Sequence, residues 1–372
     1  MIARPTRPRW SVTMLTLPER EPYLLRLLQS LSDAGADTNT EVVVVYNAPP
    51  RESRDAITRR LAAACPSLSL RVRFNDGRQT IAEGRNLQLA VCRAPLICFV
   101  DDDVTLHGQV FAPVERALRE QPVALVGLPS LREDSAEPFK PRADTPYVDA
   151  GGLRYMHVQG MLCAGYRQVL IDVGGFSRLR AFWGEWTELN TRLWRRGFPT
   201  AYRMDAGYLR HWSGAPHSPT RHRADRALHI LWGLACTAIE YDAVAASPAS
   251  RPFWTVIEER YLRYAFAAGA TPPEVFRTML ELAPRLVEAW PAIRTARARA
   301  ASDPFPFSPF HPLSPAEVGG LRRHAARALA PMKRMAFSGT RLTDPDFAAS
   351  SRPLFPAWRL SVGFPRVDRA AR

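Results

Sequence analysis

Three consecutive carboxylates, Asp101, Asp102 and Asp103, close an apolar run, Pro95-Leu-Ile-Cys-Phe-Val100. Side by side at the end of a buried strand they repel one another, and a cation offsets that cost. In an open α/β sheet, ligands bind in the crevice beyond the carboxyl ends of the strands. The triplet therefore points to a divalent metal with an anionic ligand such as a nucleotide; a solvated acidic turn is the plain alternative. Glu185 and Glu188 lie three apart at the start of a helical pattern and so share one face. They suit acid–base work, or they cap the helix dipole. Trp186 sits between them. His211 adds an imidazole, a competent metal ligand when neutral.

The elements that must position these groups are legible from periodicity. Ser11–Leu17, Glu41–Tyr46, Leu68–Phe74, Pro95–Val100 and Val123–Leu128 read as strands. Between them, Pro22–Leu31, Arg54–Ala64 and Thr80–Cys92 read as helices, the first with Leu24, Leu27, Leu28 and Leu31 on one face. Alternation of this kind predicts an α/β fold with a mostly parallel sheet and right-handed crossovers. Residues 129–155, rich in Pro, Asp, Glu and Arg, read as a long surface loop. Short helices follow at Tyr166–Val173 and Thr187–Arg196, then short strands up to Leu209. Beyond His211 the pattern turns helical, at about 222–247, 253–268, 272–296 and 315–335, with Pro-rich joints. The expected division is a domain over 1–215, a helical region over 216–340 and an irregular tail over 341–372.

Landmarks fall in a fixed order around the aspartates: "EVVVVYN" ending at Asn47, "IAEGRNLQLAV" with Arg85, then "GGFSRLRAFWGEWTELNTRLWRRGF" and "AYRMDAGYLRHWSG". This succession over residues 10–212 resembles the family-two glycosyltransferases with the GT-A fold. The resemblance implies a GT-A type, Rossmann-like sheet flanked by helices, with a helical C-terminal extension. It implies a metal-dependent, inverting enzyme that moves a sugar from a nucleotide-diphosphate donor to an acceptor hydroxyl, with Mn²⁺ or Mg²⁺ as cofactor. Thr16, Glu19 and Asn47 would then contact the base and ribose. Arg85 would lie along the base or phosphates, Asp101 and Asp102 at the nucleotide, and Asp103 on the metal, with His211 beside the metal or diphosphate. Glu185 is the first choice for general base and Glu188 the second, because Trp186 stands where the family pattern has its second acid. Gly160–Arg167 would floor the acceptor pocket. His217, His222, Arg221 and Arg223 would form a basic lid, and Phe182, Trp183 and Trp194 belong to the core. For Thr16 and Asn47, capping of strand ends is the plain alternative.

Composition sets the remaining bounds. The chain has 372 residues and a net charge of +14. Residues 1–202 hold 26 Lys+Arg against 22 Asp+Glu, and residues 203–372 hold 24 against 14. That surplus suits a phosphorylated acceptor or an anionic membrane surface, and it keeps open a non-enzymatic module that binds nucleic acid or membrane. The Arg residues are scattered along helical patterns without an RNA-binding signature, so no nucleic acid is expected. A sugar-phosphate nucleotidyltransferase is a further alternative, but "TLPEREP" lacks its Gly-rich phosphate loop. Five cysteines without a C-x-x-C pair suit reduced thiols in a cytoplasmic protein, with peripheral contact at the inner face of a membrane left open. No apolar signal core follows the basic first ten residues, and the longest apolar run, Ala227–Ile239, is too short to span a bilayer. The donor sugar, the acceptor and the oligomeric state are not readable.

Overall fold

The computed structural model describes residues 8–338 apart from 78, 134–135, 137, 143–144, 181–182, 213–222, 243–246, 268 and 312. Its strands are β1 (Trp10–Thr16), β2 (Thr40–Tyr46), β3 (Ser69–Phe74), β4 (Leu96–Asp101), β5 (Val104–His107), β6 (Leu125–Gly127), β7 (Ser130–Arg132), β8 (Pro138–Lys140), β9 (Val148–Ala150), β10 (Leu153–Tyr155), β11 (Leu162–Tyr166), β12 (Thr200–Tyr202) and β13 (Tyr208–His211). The helices are α1 (Glu21–Asp33), α2 (Arg54–Ala64), α3 (Ile81–Val91), α4 (Phe111–Glu120), α5 (Arg167–Asp172), α6 (Glu185–Arg195), α7 (Arg223–Tyr241), α8 (Arg251–Val256), α9 (Arg263–Ala267), α10 (Pro272–Ala301), α11 (Pro315–Ala328) and α12 (Ala330–Phe337). A π-helical run, Ile257–Leu262, joins α8 to α9.

A nine-stranded sheet runs in the order β3-β2-β1-β4-β11-β6-β12-β10-β9. Its first four strands are parallel, and β2 is buried at every position, as expected of a β-branched run covered on both faces. The registers pair Leu15 with Asp101 and Thr16 with Tyr46, so these strands end along one edge. At β11 the direction reverses: Leu162 pairs with Val100, which lands Gly160 and Met161 beside Asp101. The sheet is thus mixed, with its parallel part where alternation predicted it.

Residues 129–155 correct the loop expectation. They contain β7–β10, each three residues long. A second sheet runs β5-β13-β7-β8, and β13 pairs His211 with Val104. That pairing returns a distant histidine to the aspartate triplet. The helix expected at 315–335 is two helices, α11 and α12.

Two apolar clusters fill the interior. One lies around the nine-stranded sheet and includes Val318, Leu321, Ala325 and Leu329 of the last helices. The other joins α7, the α8–α9 segment and α10 through residues such as Leu231, Phe253, Tyr261 and Ile293. Trp194 is fully buried in the first, and Trp183 packs against the second. All five cysteines are free and buried. Among the described residues no helix is long and apolar enough to cross a membrane. Phe182, the expected lid around His217 and His222, and the tail beyond 338 lie outside the described residues.

Candidate active site

The middle aspartate faces inward. Asp102 accepts hydrogen bonds from Arg20 Nε at 2.9 Å, Arg20 Nη2 at 2.6 Å and Thr16 Oγ1 at 2.7 Å. Burial pushes its carboxyl up, against the pull of the guanidinium. Arg20 lies on a 3₁₀ turn, Pro18–Arg20, that caps the edge of the sheet after β1. The same guanidinium places Nη2 2.8 Å from Asp103 Oδ2. One buried cation therefore bridges two carboxylates, and both hold its charge in place although burial opposes it. The Thr16 hydroxyl is committed to this cluster.

Asp103 Oδ2 also lies 3.6 Å from His211 Nε2. Burial raises the Asp103 carboxyl, but His211 and Arg20 outweigh it and hold the group below the ordinary range. His211 is fixed by stacking on Phe139, with ring centroids 4.9 Å apart. A carboxylate oxygen and an imidazole nitrogen thus converge, a donor pair that suits Mn²⁺ better than Mg²⁺, which takes oxygen ligands. Among the described residues no group of three or more His, Cys, Asp or Glu side chains could hold an ion. The pair fits an ion that takes its remaining ligands from phosphate and water.

Asp101 is the most exposed of the three. It accepts Arg85 Nη2 at 2.9 Å and the Met161 amide at 3.1 Å, and its own amide donates to Met161 O at 2.8 Å. Arg85 comes from α3, whose start is fixed by a reciprocal capping box between Thr80 and Glu83. Its guanidinium carbon lies 5.0 Å over the Trp186 ring and 5.9 Å from that of Phe176. Trp186 in turn makes edge contacts with Phe99 and Phe176. Gly160 allows this packing: a Cβ there would fall 2.7 Å from Trp186 Nε1 and 3.7 Å from Asp101 Oδ2.

The two glutamates have different surroundings. Glu185, in the first turn of α6, has Arg85 Nε at 3.8 Å. Burial raises its carboxyl, only partly offset by Arg85. Glu188 has both oxygens engaged: Arg192 Nε and Nη2 donate at 2.9 and 2.7 Å, and Tyr241 Oη at 2.6 Å. Burial would raise Glu188 as well, but the Arg192 pair lowers it below the ordinary range.

Asn47 and Glu19 lie further along the same edge. Asn47 donates to Gln79 O at 2.9 Å and accepts from Asn75 Nδ2 at 3.1 Å, closing the turn after β3. Glu19 is 3.7 Å from Arg51. The structure thus gathers Thr16, Arg85, Asp101, Asp102, Asp103, Glu185 and His211, while Glu188 is buried toward α7. Sequence reasoning missed Arg20 and Tyr241. For Arg20 the signal was charge: three carboxylates at one strand end call for a fixed cation. For Tyr241 there was none.

Residues 11–182 match the family model described as glycosyl transferase family 2. Staphylococcus aureus TarS, residues 1–349, solved with UDP-GlcNAc, has the same fold: TM-score 0.55 at 13% identity, covering 79% of this chain and 88% of that one. The mannosyltransferase PcManGT from Pyrobaculum calidifontis, solved with GDP-Man and Mn²⁺, aligns at 18% identity over 90% of this chain and 86% of that one, with TM-score 0.46. No curated protein matches the sequence.

Proposed function

We propose that this chain, whose residues 11–182 match the glycosyl transferase family 2 model, is a nucleotide-sugar-dependent glycosyltransferase that transfers the sugar with inversion to an acceptor hydroxyl, using Glu185 as general base. The observation that carries this reading is the contrast between the glutamates. Glu185 stands beside the Arg85–Asp101 pair with a 3.8 Å cationic contact and its own backbone amide as partners, while Glu188 is held by Arg192 and Tyr241 through both oxygens. A buried carboxyl with a raised pKa is a better proton acceptor near neutral pH than an ordinary glutamate.

In this reading the acceptor oxygen attacks the anomeric carbon from the face opposite the diphosphate. The bond from that carbon to the diphosphate oxygen breaks, and the hydroxyl proton passes to Glu185. Asp101 and Arg85 orient the nucleotide end of the donor, and Asn47 and Glu19 border the base. Asp103 and His211 would hold the divalent ion, which supplies charge stabilisation to the departing diphosphate. Arg20 and Asp102 keep Asp103 in place.

A panel of UDP-, GDP- and dTDP-sugars, scored by thermal shift with and without Mn²⁺, tests the assignment. One donor should raise the melting temperature by mass action, and Asp103→Asn should remove the Mn²⁺-dependent part. Undiminished Mn²⁺-dependent binding in Asp103→Asn sinks the metal assignment, and no response to any donor sinks the donor-site reading.

A further inference from the structure

The segment that carries Glu185 lies just past the matched domain and is held by a helix further along the chain. Helix α7 begins forty residues after that domain ends at 182 and presents one face to residues 179–192. Trp232 Nε1 donates to Leu179 O at 2.6 Å. Gly233 lies against Trp183, whose ring would be 2.7 Å from a Cβ there. Thr237 Oγ1 accepts Arg180 Nη2 at 3.1 Å, and Glu240 accepts Arg180 Nη2 and Nη1 at 3.0 and 3.3 Å. Tyr241 Oη donates to Glu188 Oε1 at 2.6 Å. Positions 233, 237, 240 and 241 recur at helical spacing, so a single stripe of α7 makes most of these contacts.

The contacts are deeply buried. The Arg180 and Glu240 side chains are 0% and 1% exposed. Arg192, the other partner of Glu188, reaches back to the carbonyls of Val173 and Gly175. Asn86, next to Arg85 on α3, grips the backbone of Phe176 through both amide atoms at 2.8 Å. A continuous set of hydrogen bonds thus runs from α7 through α6 to the Gly174-Gly175 turn. A second link, through Phe176, reaches the helix that carries Arg85.

We propose that α7 is a positioning element of the transfer reaction: Tyr241, through Glu188 and Arg192, sets the placement of α6, and with it the reach of Glu185. Glu188 is a positioning residue and takes no proton from the acceptor. This rests on the reading of Glu185 as base. It adds that α7, beyond both the matched residues and α6, is needed to complete the acceptor side.

The test uses the full chain and needs no acceptor. The probe is the nucleotide sugar with the largest thermal shift in the panel, and the readout is its hydrolysis. Water attacks the anomeric carbon, the bond to the diphosphate breaks, and the water proton goes to Glu185. Tyr241→Phe removes one hydroxyl, and Glu188→Gln keeps the shape but replaces one of the two acceptor oxygens with a donor. Each should lower kcat about tenfold with KM for the donor within about twofold, and the double variant should be no slower than the slower single. A Tyr241→Phe kcat within twofold of the parent overturns the proposal. So does a Glu188→Gln that abolishes turnover while Tyr241→Phe leaves it intact, because Glu188 would then act chemically. Loss of donor affinity in step with kcat overturns it too, since the effect would not be confined to α6. Failure of the base reading shows separately, as a Glu185→Gln variant that hydrolyses the donor at the parental rate.

Discussion

Arg20 grips Asp102 through Nε and Nη2 at 2.9 and 2.6 Å, and this pair turns the middle carboxylate of the triplet away from the crevice. The three aspartates therefore have three tasks: one toward Arg85, one locked inward, one toward His211. Breaking a buried pair from one side costs about 3–5 kcal/mol. Asp102→Asn should approach that range in urea unfolding. Asp103→Asn should cost less, because it leaves Arg20 held by Asp102 through two nitrogens, whereas Asp102→Asn leaves Arg20 a single 2.8 Å contact with Asp103. Equal losses for the two variants contradict the division of roles.

Glu185→Gln should lower kcat by about 10²–10⁴-fold while donor binding by thermal shift is kept. The pH profile carries the sign. A base works deprotonated, and burial raises the Glu185 carboxyl above its ordinary 4.5. Activity should fall as pH drops, with the acid limb centred above 4.5 and absent from the residual rate of Glu185→Gln.

Gly160→Ala sets a methyl group against the Trp186 indole and near Asp101 Oδ2. Overpacking of this kind costs about 1–3 kcal/mol. The variant should lose stability in that range, and its transfer rate should fall more than its affinity for free nucleotide. A wild-type melting temperature and rate would mean that the indole does not pack on Gly160.

His157 lies against Phe307 and Trp194, with centroids 5.2 and 5.9 Å away, and burial lowers its imidazole from 6.5 to about 3. Below pH 6.5 the unfolded chain takes up a proton that the folded one refuses. Stability should therefore fall as pH drops from 6.5 toward 3, by about 1.4 kcal/mol per unit from this group. Urea titrations at pH 7 and pH 5 check it: His157→Phe should show a shallower loss than the parent.

Much of this was legible in the sequence. The β-branched run of β2 and the Leu face of α1 announced a parallel α/β half. Of the landmark residues, Arg85, the aspartates and Glu185 come together in the fold. What stayed hidden depends on distant pairing. The strands β7–β10 are too short for a period of two to register, and β7 is paired by β13, far along the chain. Arg20 looked like an ordinary charge in "PEREP" because its partners lie some eighty residues away. Tyr241 and Glu240 read as unremarkable helix positions, and only folding turns them toward Glu188 and Arg180. The basic surplus of residues 203–372 pointed to no part of the site.

Arg85 touches Asp101 on one side and Glu185 and Trp186 on the other. The groups on the first side lie within the opening 103 residues, together with Thr16, Arg20 and Asn47; the groups on the second come from residues 185 onward. The two sides of Arg85 are thus drawn from separate stretches of gene, with His211 returning from the later one to the aspartates. Arg85 is where the two stretches meet, and any change to it is felt on both sides at once.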